Sequence, residues 1–322
     1  FLFLLSFCVF AAGAEAADDS ANNVVVTATR TPTPALQTGE SVSVISGDEL
    51  QTLQTVSLTD ALALTPALTV NRNGEIGQLT TISIRGAESG QTLVLIDGVR
   101  INDPSGTDDG AVLGDLMVNN IDRVEVLRGP QSTLYGSDAI GGVIDVFTKT
   151  GGDAPFALRA SAEGGSFDTY HINTAINGTD DGVDYGGALN YFHTNGVSAA
   201  DARAGNSETD GYGNLGATGN VRVPVSDNVS IDLRGYYTRA RADFDDGAAS
   251  FLPPYPPADS AAYYTNSLLA GYAGLNVDLF GGVFHNRFAV MGTESNRKFF
   301  DSAFDTIHEN ALNKGNALRF EY

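Results

Sequence analysis

The sequence predicts an α+β domain followed by an antiparallel β-barrel of the kind that crosses a membrane. Three observations predict it. From Pro155 onward, apolar and polar side chains alternate at period two, as in strands with two unlike faces. The links between those strands alternate between short and long. The apolar run Phe1–Phe10, followed by Ala14-Glu15-Ala16, has the features of a secretory signal.

Composition bounds the rest. A chain of 322 residues is longer than one compact core usually takes. Net charge is −21, with 18 Lys and Arg against 39 Asp and Glu. Phosphate binding needs a basic patch, so nucleic acid is excluded as a partner. Cys8 is the only cysteine and lies inside the apolar leader. A lipidation cysteine there is disfavoured, because bulky Phe7 precedes it and the apolar run continues past it. Residues 1–16 are read as a signal peptide with a shortened start, since no Met stands at position 1. The mature chain then has no disulfide and no Cys-based metal site.

Residues 17–40 form a leading segment. Within it, Val24-Val25-Val26-Thr27-Ala28-Thr29-Arg30 is a β-branched run isolated before Pro32 and Pro34. It is either the first strand of the next domain or a strand that adds to another protein's sheet edge. Residues 41–150 read as the α+β domain. Ser41–Ser46 alternates like a strand. Gly47–Leu53 and Ser57–Leu64 look helical, with Asp48 or Ser57 as N-cap and Pro66 as the stop. Leu79–Arg85 and Thr92–Asp97 are strands joined by Gly86–Gly90. Asp103–Gly114 is a polar, acidic loop. Val126–Lys149 sets β-prone runs around Gly129, Gly136, Gly141 and Gly142, where backbone turns tightly or another backbone approaches.

Residues 155–322 hold about eight strands of the alternating kind. They are read near 156–163, 167–177, 183–194, 212–223, 228–240, 263–279, 282–293 and 311–322. Gly178–Gly182, Pro224–Asn228 and Phe280–Gly281 are tight links; 194–211, 240–262 and 292–312 are long ones. A soluble sandwich shares the alternation but does not sort its loops by parity, so the transmembrane barrel is favoured. The last segment ends in mid-strand, and the barrel is read as incomplete.

No catalytic constellation is present. His171, His193, His285 and His308 lack the spacing of a metal or nucleophile motif. Two long loops are acidic instead, with Glu208 and Asp210 in one and Asp243, Asp245 and Asp246 in the next. Carboxylates at that density suit a hard cation such as calcium; solvated loop charge is the alternative. No other cofactor is expected.

The motifs Ile84-Arg85-Gly86, Leu95-Ile96-Asp97-Gly98-Val99, Leu127-Arg128-Gly129-Pro130 and Tyr135-Gly136-Ser137-Asp138-Ala139-Ile140-Gly141-Gly142-Val143-Ile144 resemble, in order, those of TonB-dependent outer-membrane receptors. The resemblance covers almost the whole chain. It implies a plug domain at 41–150 inside a barrel of about twenty-two strands. The glycines of Val126–Lys149 are then expected to let backbone fit inside a barrel lumen. Val24, Val25, Val26, Thr27, Ala28 and Thr29 fall at the TonB box, the periplasmic segment that binds TonB. Arg85 and Arg128 match arginines that latch the plug to barrel glutamates, which in the family lie in later strands; exposed strand-end charge is the alternative. The implied location is the outer membrane of a Gram-negative bacterium, with lipid around the barrel, and the implied function is active uptake of a scarce nutrient. A passive porin or adhesin would need neither box nor plug.

Within the family, the stretch Gly77–Gly86 and the stretch Tyr135–Ile144 are most similar to cobalamin receptors. Carried over, the substrate contacts fall on Leu79, Thr81, Glu88, Asp103, Ser105 and Thr107. Glu208, Asp210 and Asp245 match calcium-ligand positions, while Ser198 stands where an aspartate is expected. Glu88 replaces a neutral amide, and the loop that begins at Asp103 differs in length and carries acidic Asp103, Asp108 and Asp109, so ferric siderophores and other metal chelates remain open as cargo.

Overall fold

The computed structural model describes residues 24–321 apart from 26, 31, 104–108, 199–202, 204–208, 246–260, 282 and 302–305. Two short strands come first. β1 (Val24–Val25) pairs antiparallel with β2 (Thr33–Pro34). The run 24–29 is therefore not a lone strand here: it folds back on its own chain and turns at Thr27–Arg30.

The α+β domain follows with β3 (Ser41–Ser46), α1 (Gly47–Leu53), α2 (Leu58–Leu62), β4 (Leu68–Arg72), β5 (Thr80–Ile84), β6 (Thr92–Ile96), β7 (Val99–Arg100), β8 (Ile121–Arg128), α3 (Ser132–Tyr135) and β9 (Gly142–Thr148). Both expected helices form. The first is capped by Ser46, whose Oγ accepts from Glu49 N at 3.1 Å, and not by Asp48, which sits in the first turn. A carboxylate there still faces the positive end of the helix. The two strands joined by Gly86–Gly90 enter different sheets. β5 forms a hairpin with β4, while β6 joins the main sheet, ordered β3-β8-β9-β6-β7. Only β6 and β9 run parallel, from Thr92 beside Gly142 to Ile96 beside Val146. The crossover between them needs a long connection, and β7, β8 and α3 fill it.

Two glycines of the glycine-rich stretch, Gly141 and Gly142, are crowded by the domain itself. A Cβ on Gly142 would lie 2.3 Å from Leu127 O and 2.7 Å from Ile84 Cδ1, and one on Gly141 would lie 2.7 Å from Ala87 Cβ. These glycines let β9 enter beside β8 and under β5. At these two positions the close partner is the domain itself, and not the described sheet wall.

The second unit is one eight-stranded antiparallel sheet in chain order: β10 (Ala157–Gly165), β11 (Thr169–Asp180), β12 (Val183–Thr194), β13 (Tyr212–Ser226), β14 (Val229–Asp243), β15 (Tyr263–Leu279), β16 (Phe284–Asp301) and β17 (Thr306–Glu321). The alternation sorts as expected. Ile231, Leu233, Leu269, Phe288 and Val290 point outward and are exposed, while Asp232, Thr238, Asn266, Leu268 and Tyr272 are buried against the first unit. The main core mixes Ile82, Val94, Val124 and Ile144 of the plug with Leu268, Ala270, Tyr272, Ala289 and Met291 of the sheet.

One loop is corrected. The span 292–312 is mostly strand: β16 and β17 stay paired out to Asp301 beside Thr306. Beyond the lipid band a hairpin has no reason to alternate apolar and polar, so its polar sequence reads as loop. The ladder continues because each rung still satisfies its backbone groups. Aromatic contacts support it, with Tyr263 stacked on Phe300 at 4.9 Å and Phe244 at 5.2 Å from Phe299.

Candidate functional site

Residues 24–29 are held by the plug. Val25 is fully buried in a cluster with Leu93, Leu95, Leu127, Ala139 and Val143. Thr27 is also buried, and both of its backbone groups meet plug side chains. Its N–H donates to Glu125 Oε2 at 2.8 Å, and its carbonyl accepts from Tyr135 Oη at 2.8 Å. Arg123 Nε donates to the other oxygen of Glu125 at 2.8 Å. Ala28 is buried, and Thr29, exposed, shares a hydrogen bond of 2.9 Å with Thr33. Val26 lies outside the described residues. Next along, Arg30 stacks on the Tyr135 ring at 4.6 Å and reaches Glu321 of β17 at 3.4 Å.

Behind this segment sit two more buried carboxylates. Glu125 of β8 stands directly across from Asp145 of β9. Burial pushes the Asp145 carboxyl up to about 7; the charges of Glu125 and Asp97 add to this, and the Gly98 N–H and Arg319 oppose it. Burial also raises the Asp97 carboxyl, against the pull of Arg234 and two bonds from Thr148. The sheet wall answers with arginines. Arg234 lies 4.0 Å from Asp97 and donates to Asp232 at 2.9 Å, and Arg319 donates to Gly98 O at 2.9 Å.

At the other rim the plug meets the wall through one carboxylate. Asp115 Oδ1 accepts from Tyr212 Oη at 3.0 Å, Oδ2 accepts from Asn266 Nδ2 at 2.8 Å, and its backbone carbonyl accepts from Asn214 at 3.0 Å. Burial pushes this carboxyl up to about 6, with Asn266 and Tyr212 opposing. Gln78 donates to Asp243 O at 2.8 Å, and Gly77 lies flat against the Tyr212 ring.

The other sequence-named residues fall as follows. Leu79 is exposed, and Thr81 lies half-buried in β5. Glu88 is exposed and takes part in a capping box with Gln91. Asp103 is buried with Arg297 Nη1 at 3.7 Å, which makes it a tie to the wall and not an open contact. Ser105 and Thr107 lie outside the described residues. Arg128 is buried and stays inside the plug, donating to Pro66 O at 2.9 Å and to Ser41 and Ser43. Burial lowers its pKa, and so does the charge of exposed Arg85 nearby. Neither arginine pairs with a wall glutamate among the described residues.

Of the acidic loop residues, Glu208 and Asp246 lie outside the described residues. Ser198 Oγ donates to Asp245 Oδ2 at 3.1 Å, so the two loops touch. Asp243 instead holds Arg241 at 2.9 Å, and Asp210 is buried. Calcium takes six to eight oxygens, and among the described residues no three acidic or imidazole groups converge. The described donors fit one flank of such a shell at Asp245 and Ser198, and not at Asp243.

Sequence reasoning passed over Glu125, Asp115 and Arg30. Glu125 had one available signal, a carboxylate set between Val124 and Val126 in a β-prone run.

Comparison with known proteins accords with this geometry. Residues 34–143 match the TonB-dependent receptor plug domain. Over 290 residues the chain is 32% identical to the vitamin B12 transporter BtuB of Photobacterium profundum, covering 89% of this chain and 45% of that one. Among solved structures, the siderophore receptor PirA from Acinetobacter baumannii superposes with a TM-score of 0.61 at 20% identity, over 87% of this chain and 44% of that one. The ferripyoverdine receptor of the Pseudomonas aeruginosa outer membrane gives 0.69 at 15% identity, over 88% and 38%. These two likenesses are of fold. The chain thus spans less than half the length of each of the three. Residues 34–143 are thus a TonB-dependent receptor plug domain, and the chain as a whole has the fold of the outer-membrane receptors it resembles.

Proposed function

We propose that the chain serves TonB-dependent uptake of a scarce nutrient across the Gram-negative outer membrane, with cobalamin as the cargo. The observation that carries this reading is the seating of Val24–Thr29. The segment is folded onto the plug by a few hydrogen bonds and one small apolar cluster. Such a segment can be released without unfolding the five-stranded sheet. Once released, its β-branched backbone offers a free strand for addition to a TonB sheet edge. Cargo binding on the outer side acts by preferring the released state, which is coupling through differential affinity. Deleting Val24–Thr29 from the chain as its gene encodes it should leave cargo binding intact and abolish uptake; uptake at the wild-type rate rejects the reading.

Cobalamin is favoured by the relative at 32% identity, which is named a vitamin B12 transporter. A ferric siderophore is the second reading, supported by the charged Glu88 in place of an amide. Calorimetry of the complete receptor with cyanocobalamin and ferripyoverdine in parallel separates them. Heat from ferripyoverdine alone rejects cobalamin.

A further inference from the structure

We propose that Glu125 and Tyr135 form a two-point clasp on Thr27 that sets how often the 24–29 segment leaves the plug. The inference deepens the uptake reading and rests on it for its biological meaning, though not for its measurement.

The geometry is specific. A peptide unit that leaves an apolar seat for water normally loses little hydrogen bonding, because water replaces what it had. Thr27 differs in that both backbone groups are held by side chains of the plug, at 2.8 Å each, in a position 1% exposed. Neither bond belongs to a sheet ladder, since β1 ends at Val25. The clasp can therefore open without breaking any strand pair of the plug.

Both holding groups are themselves positioned. Arg123 Nε fixes the Glu125 carboxylate from its far side at 2.8 Å, and the Arg123 guanidinium lies 4.0 Å over the Phe147 ring. Tyr135 closes α3, and its ring is covered by Arg30 at 4.6 Å. Glu125 also stands across from Asp145, which lies beside Gly98 and the Asp97 that Arg234 approaches. The carboxylate that holds Thr27 is thus connected, through Asp145, Gly98 and Asp97, to the wall at Arg234. Glu125 and Tyr135 act as positioning residues of the segment, not as contacts to cargo.

The test uses the full-length receptor in lipid vesicles with a nitroxide label at Thr29→Cys, an exposed position next to the clasp. The ratio of mobile to immobile label is read without cargo and without TonB. Tyr135→Phe removes one hydroxyl and keeps the ring. Glu125→Gln keeps the shape and removes the charge. Tyr185→Phe, whose hydroxyl in β12 donates to Pro155 O at 2.6 Å and not to the segment, is the control. Tyr135→Phe and Glu125→Gln should each raise the ratio by roughly 2- to 10-fold, the range set by one buried hydrogen bond. Tyr185→Phe should leave it unchanged. An unchanged ratio in Tyr135→Phe, or an equal rise in the control, overturns the clasp. The readout needs neither TonB nor uptake, so the clasp and the uptake reading can fail separately.

Discussion

The carboxylate of Asp115 in the plug accepts the side-chain amide of Asn266 in the sheet wall at 2.8 Å, with both residues buried. Tyr212 and Asn214 complete the same contact from β13. One plug residue therefore ties two strands of the wall, β13 and β15, at the rim that carries the acidic loops.

This tie makes stability depend on pH. The Asp115 carboxyl is raised from 3.8 to about 6 by burial. The folded state then keeps a proton that the unfolded chain has lost, so stability falls as pH rises between those values and is level on either side. The span corresponds to about 3 kcal/mol. Denaturation of wild type and Asp115→Asn at about pH 4 and about pH 7 should show wild type losing stability relative to the variant as pH rises. Parallel pH profiles would remove Asp115 as the cause.

Arg234 is the cation beside two buried carboxylates, Asp232 of the wall and Asp97 of the plug. Arg234→Ala leaves both without it. We expect a loss of about 3–5 kcal/mol, the usual penalty for breaking a buried pair from one side. Arg234→Ala with Asp232→Asn should recover part of this, since one stranded charge is gone. Chemical denaturation of the three proteins checks the order.

Gly77 has φ +85° and faces the Tyr212 ring, where an added Cβ would lie 2.0 Å from a ring carbon. The ring cannot swing away cheaply, because its hydroxyl is bonded to Asp115. Gly77→Ala should lower stability by about 1–3 kcal/mol through overpacking. Gly219→Ala, where a Cβ meets nothing within 4 Å, should be close to neutral in the same melting experiment.

We also expect calcium to bind at the two touching loops. Asp245 is the residue to change, because it already meets Ser198 of the other loop. Asp245→Ala should weaken calcium binding by about tenfold or more, measured by calorimetry with calcium alone. An unchanged isotherm leaves these carboxylates as solvated loop charge.

Much of the architecture was legible in the chain. Period-two alternation from Pro155 onward named the sheet and its two faces, because lipid-facing and plug-facing environments demand opposite side chains. It failed at 292–312, where β16 and β17 run past the region that imposes that demand. The latch arginines were named by motif; among the described residues Arg128 bonds within the plug to Pro66 and Ser41, and the glutamates of the latch are expected in later strands.

By itself the sequence determined the order of two parts: an α+β plug, then strands of alternating character. Local chemistry suffices for this, since caps and alternation are read within a few residues. Only the tertiary structure decided what holds what. Thr27 and Glu125 are 98 positions apart, and Asp115 and Asn266 are 151 apart. No periodicity encodes such pairs. They exist because the β8–β9 pairing brings Glu125 beside Asp145 under the leading segment, and because the sheet wall closes on the plug from outside.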